Sequence, residues 1–246
     1  MPRQCIFCTN PADSREHLWP DWVLQTLGHR KPIIRSIEER RLGKAFHGPV
    51  KIKCVCTSCN EGWMSTLEGE VRPYLGTMLH GITLTLTARQ QETISRWLLK
   101  IATVLEGASL RGRSHFYQQT DREELRLNST IPLGTIAWIG QFAGTGLHVS
   151  GEDIWFTIGK DTRAADGCVT TFVVGKVIGQ VLTVRFTPEY NRQPIRIHGR
   201  EGPWNQSLIQ IWPTRLSVQW PPALYFPADR GIPSIGDLCY RWRPIS

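Results

Sequence analysis

Four cysteines in two Cys-x-x-Cys pairs, Cys5 with Cys8 and Cys56 with Cys59, have the spacing at which one tetrahedral metal ion takes four thiolates. Between the pairs lies the stretch Ser14-Arg15-Glu16-His17-Leu18-Trp19-Pro20, and Asn60 follows the last cysteine directly. An acid beside a histidine is a weak signal alone. A metal bridging the two pairs would close the chain into a loop and hold Glu16 and His17 against the residues after Cys59. A zinc ion in this position would be structural, contributing roughly 10 kcal/mol or more to folding as it does in zinc-finger peptides. The run Cys54-Val55-Cys56-Thr57-Ser58-Cys59 also admits Cys54 as the third ligand, although the two-residue spacing of the first pair favours Cys56.

Several elements must position these groups. After the first pair, Asn10-Pro11-Ala12-Asp13 supplies turn formers, which predicts a knuckle before an extended segment at Glu16-His17-Leu18. Pro20 suits the first turn of a short helix over residues 21–27, with Trp22, Val23 and Leu27 inward and Gly28 ending it. The stretch 29–53 is basic (Arg30, Lys31, Arg35, Arg40, Arg41, Lys44, Lys51, Lys53), with strand-like pieces at 33–37 and 50–55, and could form a phosphate-gripping arm beside the centre. From Asn60 to about residue 79, Trp63, Leu67, Val71, Tyr74 and Met78 recur at helical spacing, and Pro73 is expected to kink or end that helix near Arg72. Gly76 and Gly81 bracket an expected boundary, giving domains 1–80 and 81–246.

In the second region a capping-box pattern, Thr87 with Gln90, opens a helix that carries Ile94, Trp97, Leu98, Ile101, Ala102 and Leu105 on one face, with Gly107 at its expected end. A shorter helix is expected over 120–127. Strand-like runs at 135–139, 153–158, 169–174, 177–186, 207–212 and 216–220 then imply an antiparallel sheet packed on the long helix, with a hairpin at Val174-Gly175-Lys176-Val177. The fold class expected is α+β: a small zinc-stapled domain followed by a mixed helix and antiparallel-sheet domain. Trp138, Trp155, Trp204, Trp212 and Trp220 read as core rather than base-stacking residues. His115, His148 and His198 show no ligand spacing, and Arg111-Gly112-Arg113 reads as a solvated basic loop.

Composition narrows the function classes. The 246 residues are 41% apolar with ten tryptophans, ample for a folded core. A formal charge of +8 and a pI near 9.3 point to a polyanionic partner and do not separate DNA from RNA. No run of about 18 apolar residues and no apolar N-terminal stretch occur, so a cytoplasmic protein without membrane insertion is expected. Seven cysteines, five of them within the first 59 residues, suit metal binding in a reducing compartment better than disulfides, and Cys168 and Cys239 read as buried apolar residues.

The order Cys5-x-x-Cys8, Glu16-His17, Cys56-x-x-Cys59-Asn60 resembles the HNH (ββα-metal) endonucleases, especially the phage recombination endonuclease VII type. Glu61-Gly62-Trp63-Met64-Ser65-Thr66-Leu67-Glu68 is similar to the helix start of such proteins, and the resemblance covers residues 5–75. It implies a metal-dependent endonuclease hydrolysing phosphodiester bonds in DNA. It also implies His17 as general base, with Glu16 and Asn60 holding one catalytic Mg²⁺ or Mn²⁺ and Cys5, Cys8, Cys56 and Cys59 holding structural Zn²⁺. By analogy the protein could be a defence effector, and a homodimer would suit double-strand cleavage. The sequence departs from the family in two places. No asparagine lies between His17 and Asn60 to orient the base, leaving His47 as a candidate orienting residue, and Glu16 stands where aspartate is commoner. His29, Glu61 and Glu68 are further carboxylate or imidazole candidates for the metal shell, although their bland reading is solvated surface. The competing class is a non-catalytic zinc module that binds nucleic acid or a protein partner.

Overall fold

The computed structural model describes residues 3–17, 19–28, 33–34, 46–47, 51–109, 115–144, 149–156, 167–185 and 207–226. The side chains of 33–34, 46–47, 51, 108–109 and 149–156 lie outside that description. The architecture is mixed α+β with antiparallel sheets. The elements in order are β1 (Ser14–His17), α1 (Asp21–Thr26), β2 (Ile33–Ile34), β3 (Phe46–His47) and β4 (Lys51–Val55). A helical turn, α2 (Thr57–Cys59), and a π-helical turn (Asn60–Met64) then lead into α3 (Ser65–Leu79). There follow β5 (Leu84–Thr87), α4 (Ala88–Ser109), α5 (Gln119–Asn128), β6 (Thr135–Gln141), β7 (Val149–Phe156), β8 (Gly167–Val174), β9 (Val177–Val184), β10 (Leu208–Trp212) and β11 (Ser217–Trp220).

Among the described residues the largest sheet is antiparallel in the order β10-β6-β9-β8-β7. Every residue of β8 and β9 is buried, so these two central strands are covered on both faces. They are joined by Gly175-Lys176, where Gly175 has φ +55°, a conformation that glycine adopts without a Cβ penalty. The helix α4 lies on this sheet. Trp97 of α4 meets Phe172 of β8 with ring centroids 6.3 Å apart, and a Cβ on Gly179 would come within 2.7 Å of Leu98 Cδ2. Glycine at 179 therefore sets how closely helix and sheet approach. The N-terminus of α4 has the expected reciprocal cap: Thr87 N donates to Gln90 Oε1 (2.9 Å) and Gln90 N donates to Thr87 Oγ1 (3.3 Å).

Three details differ from the expectations. The strand β11 pairs with β5 in a separate two-stranded sheet rather than joining the larger one. Pro73 lies inside α3, which continues to Leu79. A proline in a helix interior costs about 3 kcal/mol or more, but Leu75, Met78 and Leu79 beyond it are all buried, each contributing about 1.5–3 kcal/mol, so packing outweighs the lost bond. And α4 passes through Gly107 to Ser109, because that glycine faces a neighbour rather than ending the helix: a Cβ there would meet Ile6 Cδ1 at 3.3 Å.

Ile6 belongs to the first cysteine knuckle, so the N-terminal region is packed directly on α4. One apolar core runs from Cys5 through Trp19, Leu67, Trp97 and Phe172 to Trp220. The regions on either side of residue 80 share that core. Trp220 is fully buried, as expected, and Trp138 and Trp212 are half-buried, while the side chains of Trp155 and Trp204 lie outside the description.

Candidate metal centre and acid-histidine site

Backbone pairing brings the two cysteine knuckles together before any metal is considered. Cys5 N donates to Asn10 O (2.8 Å), closing the first knuckle, and Ile6 N donates to Cys54 O (2.9 Å), docking it on β4. Asp13 then clamps the second: its Oδ1 accepts from Thr57 N (2.8 Å) and from Thr57 Oγ1 (3.2 Å). The Thr57 amide foremost holds the Asp13 carboxyl below its usual range.

The sulfurs of Cys5, Cys8, Cys56 and Cys59 all lie within 4.8 Å of one another. Cys8 Sγ is 3.5 Å from Cys56 Sγ and 3.7 Å from Cys59 Sγ. Tetrahedral Zn²⁺ with bonds of about 2.3 Å needs sulfurs about 3.8 Å apart, so the four residues fit such an ion. Cys5, Cys56 and Cys59 are buried and Cys8 is half-buried. Their titration also fits. The Cys59 thiol, donating to Cys5, brings Cys5 down to about 5, while the same shared proton pushes Cys59 far above the ordinary thiol range, and burial pushes Cys8 up. Without a cation the cluster favours one thiolate among thiols, whereas a divalent ion can hold all four as thiolates.

Cys54 does not enter this group. It is fully buried on β4, its Cβ is 3.8 Å from the position a Gly107 Cβ would take, and burial pushes its thiol to about 12. The third ligand position therefore falls to Cys56. Cys54→Ala is expected to retain one metal ion per chain by elemental analysis, with stability lowered by about 1 kcal/mol for the lost packing; loss of the metal would reassign the ligand.

The acid-histidine pair sits at the end of β1, which runs antiparallel to β4 with Glu16 opposite Ile52 and His17 opposite Lys51. Strand alternation sends the two side chains to opposite faces. Glu16 points inward and is 5% exposed, with its Oε1 accepting from Lys100 Nζ at 2.8 Å. Lys100, on α4, has no exposed surface and also donates to Glu68 Oε1 of α3 at 2.7 Å. Glu68 is thus part of a buried ion triad rather than solvated surface. Glu61 is exposed.

His17 points outward, partly exposed, with Nδ1 3.6 Å from Oδ1 of Asp21, the first residue of α1. Trp19, two residues on from His17, is buried against Phe172 (5.5 Å between centroids), and Trp22 of α1 lies near Trp97 (6.5 Å). The sheet and α4 thereby anchor the segment that follows the histidine. Asn60 occupies the turn after Cys59, and its Nδ2 donates to Ser14 Oγ of β1 at 2.8 Å. Among the described residues no hydrogen bond or ion pair joins His17 to Glu16 or Asn60; Asn60 faces β1 three residues before the histidine.

Lys100 and Asp21 are the groups that sequence reading missed at this site. Of the remaining candidates, His29 and most of the basic arm (Arg30, Lys31, Arg35, Arg40, Arg41, Lys44) lie outside the described residues, as do Arg111, Arg113, His148, His198 and Cys239. His47 is described only as backbone, paired with Ile33. Among the described residues no helix is long and apolar enough to cross a membrane. No protein-family model, curated protein or solved structure matches the chain.

Proposed function

We propose that the chain is a metal-dependent endonuclease of the HNH type that hydrolyses phosphodiester bonds in DNA. The observation that carries this reading is a pair of strands and a helical segment closed by the cysteine cluster: β1 ends on His17, β4 pairs with it, and the helical segment after β4 returns Asn60 to β1. In this reading His17 is the general base, taking a proton from the attacking water, and the products carry a 5′-phosphate and a 3′-hydroxyl. Mg²⁺ or Mn²⁺ held by Glu16 and Asn60 would neutralise charge on the leaving oxygen. Lys100 engages Oε1 of Glu16, which leaves the second carboxylate oxygen for such a role. The net charge of +8 supports a polyanionic substrate.

The test is plasmid DNA incubated with Mg²⁺ or Mn²⁺, with and without chelator, beside His17→Ala. Loss of a general base is expected to slow nicking about 10²–10⁴-fold. Equal nicking by both proteins, or none by the wild type over a range of metals with DNA and RNA, would sink the catalytic reading.

The second reading is a non-catalytic zinc module that binds nucleic acid or a protein partner. The buried triad favours it, because a salt-bridge role for Glu16 in holding β1 to α3 and α4 needs no chemistry. Retention of nucleic acid by wild type and His17→Ala alike, without nicking, would select it.

A further inference from the structure

We propose that Asp21 is the positioning residue for His17, fixing its tautomer and orientation in place of the asparagine that the sequence lacks; this rests on the endonuclease reading for its catalytic consequence. The geometry is specific about which nitrogen is involved. Asp21 Oδ1 faces Nδ1 at 3.6 Å, outside hydrogen-bond range but close enough to become a hydrogen bond with a small side-chain rotation. Such contacts are often long in ligand-free enzymes and tighten in the substrate complex.

Both partners are mounted on fixed supports. His17 is held by its pairing with Lys51. Asp21 is held because α1 buries Trp22, Val23 and Leu24 directly behind it, and Trp19 pins the connecting turn into the core. The pair spans a strand end and a helix start, so its separation is set by tertiary packing rather than by a flexible loop.

The chemistry follows from which nitrogen is occupied. A carboxylate accepting from Nδ1–H keeps the proton there and leaves the Nε2 lone pair to take a proton from water. The same carboxylate stabilises the imidazolium that results. Arg15 lies two residues back on the same strand and is exposed, and the backbone of Lys51 lies opposite in register. Asp21 is the acidic group that the described structure brings to the ring.

Two readouts separate this inference from the activity it serves. Long-range ¹H–¹⁵N spectra of the full-length, zinc-loaded protein report the His17 tautomer directly. The wild type is expected to hold the Nδ1–H form, and Asp21→Ala to revert toward the Nε2–H form favoured by an unconstrained histidine side chain. In plasmid nicking, Asp21→Ala is expected to lower kcat about 10–100-fold, the usual scale for an outer partner of a site histidine, with KM within about twofold, and Asp21→Glu to restore part of the loss. Asp21 is 62% exposed, so the substitutions should leave the melting temperature unchanged. A wild-type His17 in the Nε2–H form, or a tautomer indifferent to Asp21→Ala, overturns the assignment whether or not DNA is cut. A tautomer that responds as expected in a protein that cuts nothing upholds the pairing and removes the endonuclease reading instead.

Discussion

Lys100→Met is expected to lower the free energy of unfolding by about 3–5 kcal/mol near pH 7, a large share of the 5–15 kcal/mol typical of a folded chain. The ammonium is fully buried and holds two carboxylates, Glu16 at 2.8 Å and Glu68 at 2.7 Å. Removing it leaves two negative groups facing each other across an apolar side chain. Most of the cost falls on Glu16, since the Glu68 side chain keeps 19% of its surface and can be partly hydrated. Burial alone would depress the lysine, but the two carboxylates outweigh it and hold Lys100 above its ordinary range. A raised folded-state value means that the stabilisation is complete below about pH 10.4, the unfolded value, and fades only as the solution becomes more alkaline. Between pH 5 and 9 the wild type should therefore show no loss from this group. The variant should differ in the acid range: its unpaired carboxylates bind protons more readily folded than unfolded, so its deficit shrinks from pH 7 to pH 5. Urea unfolding at both pH values checks this, with Glu16→Gln/Lys100→Met completing a cycle. A coupling of about 1–3 kcal/mol is expected. A loss below about 1 kcal/mol, or one independent of pH, would mean that the carboxylates find other partners.

That triad also shows where sequence reading stops. Patterns confined to a few neighbouring residues were legible: the two cysteine pairs, the Thr87 and Gln90 cap, the Gly175-Lys176 turn and the apolar face of α4. Each encodes its own geometry through spacing or a glycine's freedom. Lys100 was invisible because its partners lie 84 and 32 residues away, and nothing local marks a lysine for burial. Asp21 sits four residues after His17, a spacing informative in a helix but not across a strand, a turn and a helix start. Gly107 has the local signature of a helix end because glycine commonly ends helices; its actual partner, Ile6, is 101 residues away and is brought to it only by the cysteine knuckle. The core shared across residue 80 was not legible for a related reason. Gly76 and Gly81 are local punctuation, whereas Trp19, Trp97 and Phe172 come together only in the fold. The Glu16 role differs again, since the resemblance assigns it a metal and the packing supplies it with an ammonium.

Stripping the metal or replacing Cys5 with Ser is expected to unfold β1 and β4 while leaving the five-strand sheet protected. Purified protein should carry about one zinc per chain, retained in His17→Ala and lost in Cys5→Ser. The scale is set by the roughly 10–16 kcal/mol that four-ligand sites add to zinc-finger peptides, which exceeds what the Glu16–Lys100 bridge and a few hydrogen bonds add to this region. β1 has four residues and one partner strand; Asn60 adds one side-chain hydrogen bond to it, and Asp13, at its flank, accepts two from Thr57. By contrast β8 and β9 are buried along their whole length and pair on both sides within a sheet that includes none of the cysteine ligands. Hydrogen exchange should therefore show amides of β1 and β4 opening on chelation, with those of β8 and β9 little changed. The C-terminal turn of α4 should open with the first group, since Gly107 packs on Ile6 and its carbonyl accepts from Arg3. Acidification should mimic the chelator, because four thiolates must be reprotonated as the ion leaves. Continued protection of β1 and β4 in metal-free protein would show that packing on α4 alone holds His17 in place, and the cysteine cluster would then lose its role as the element that closes the site.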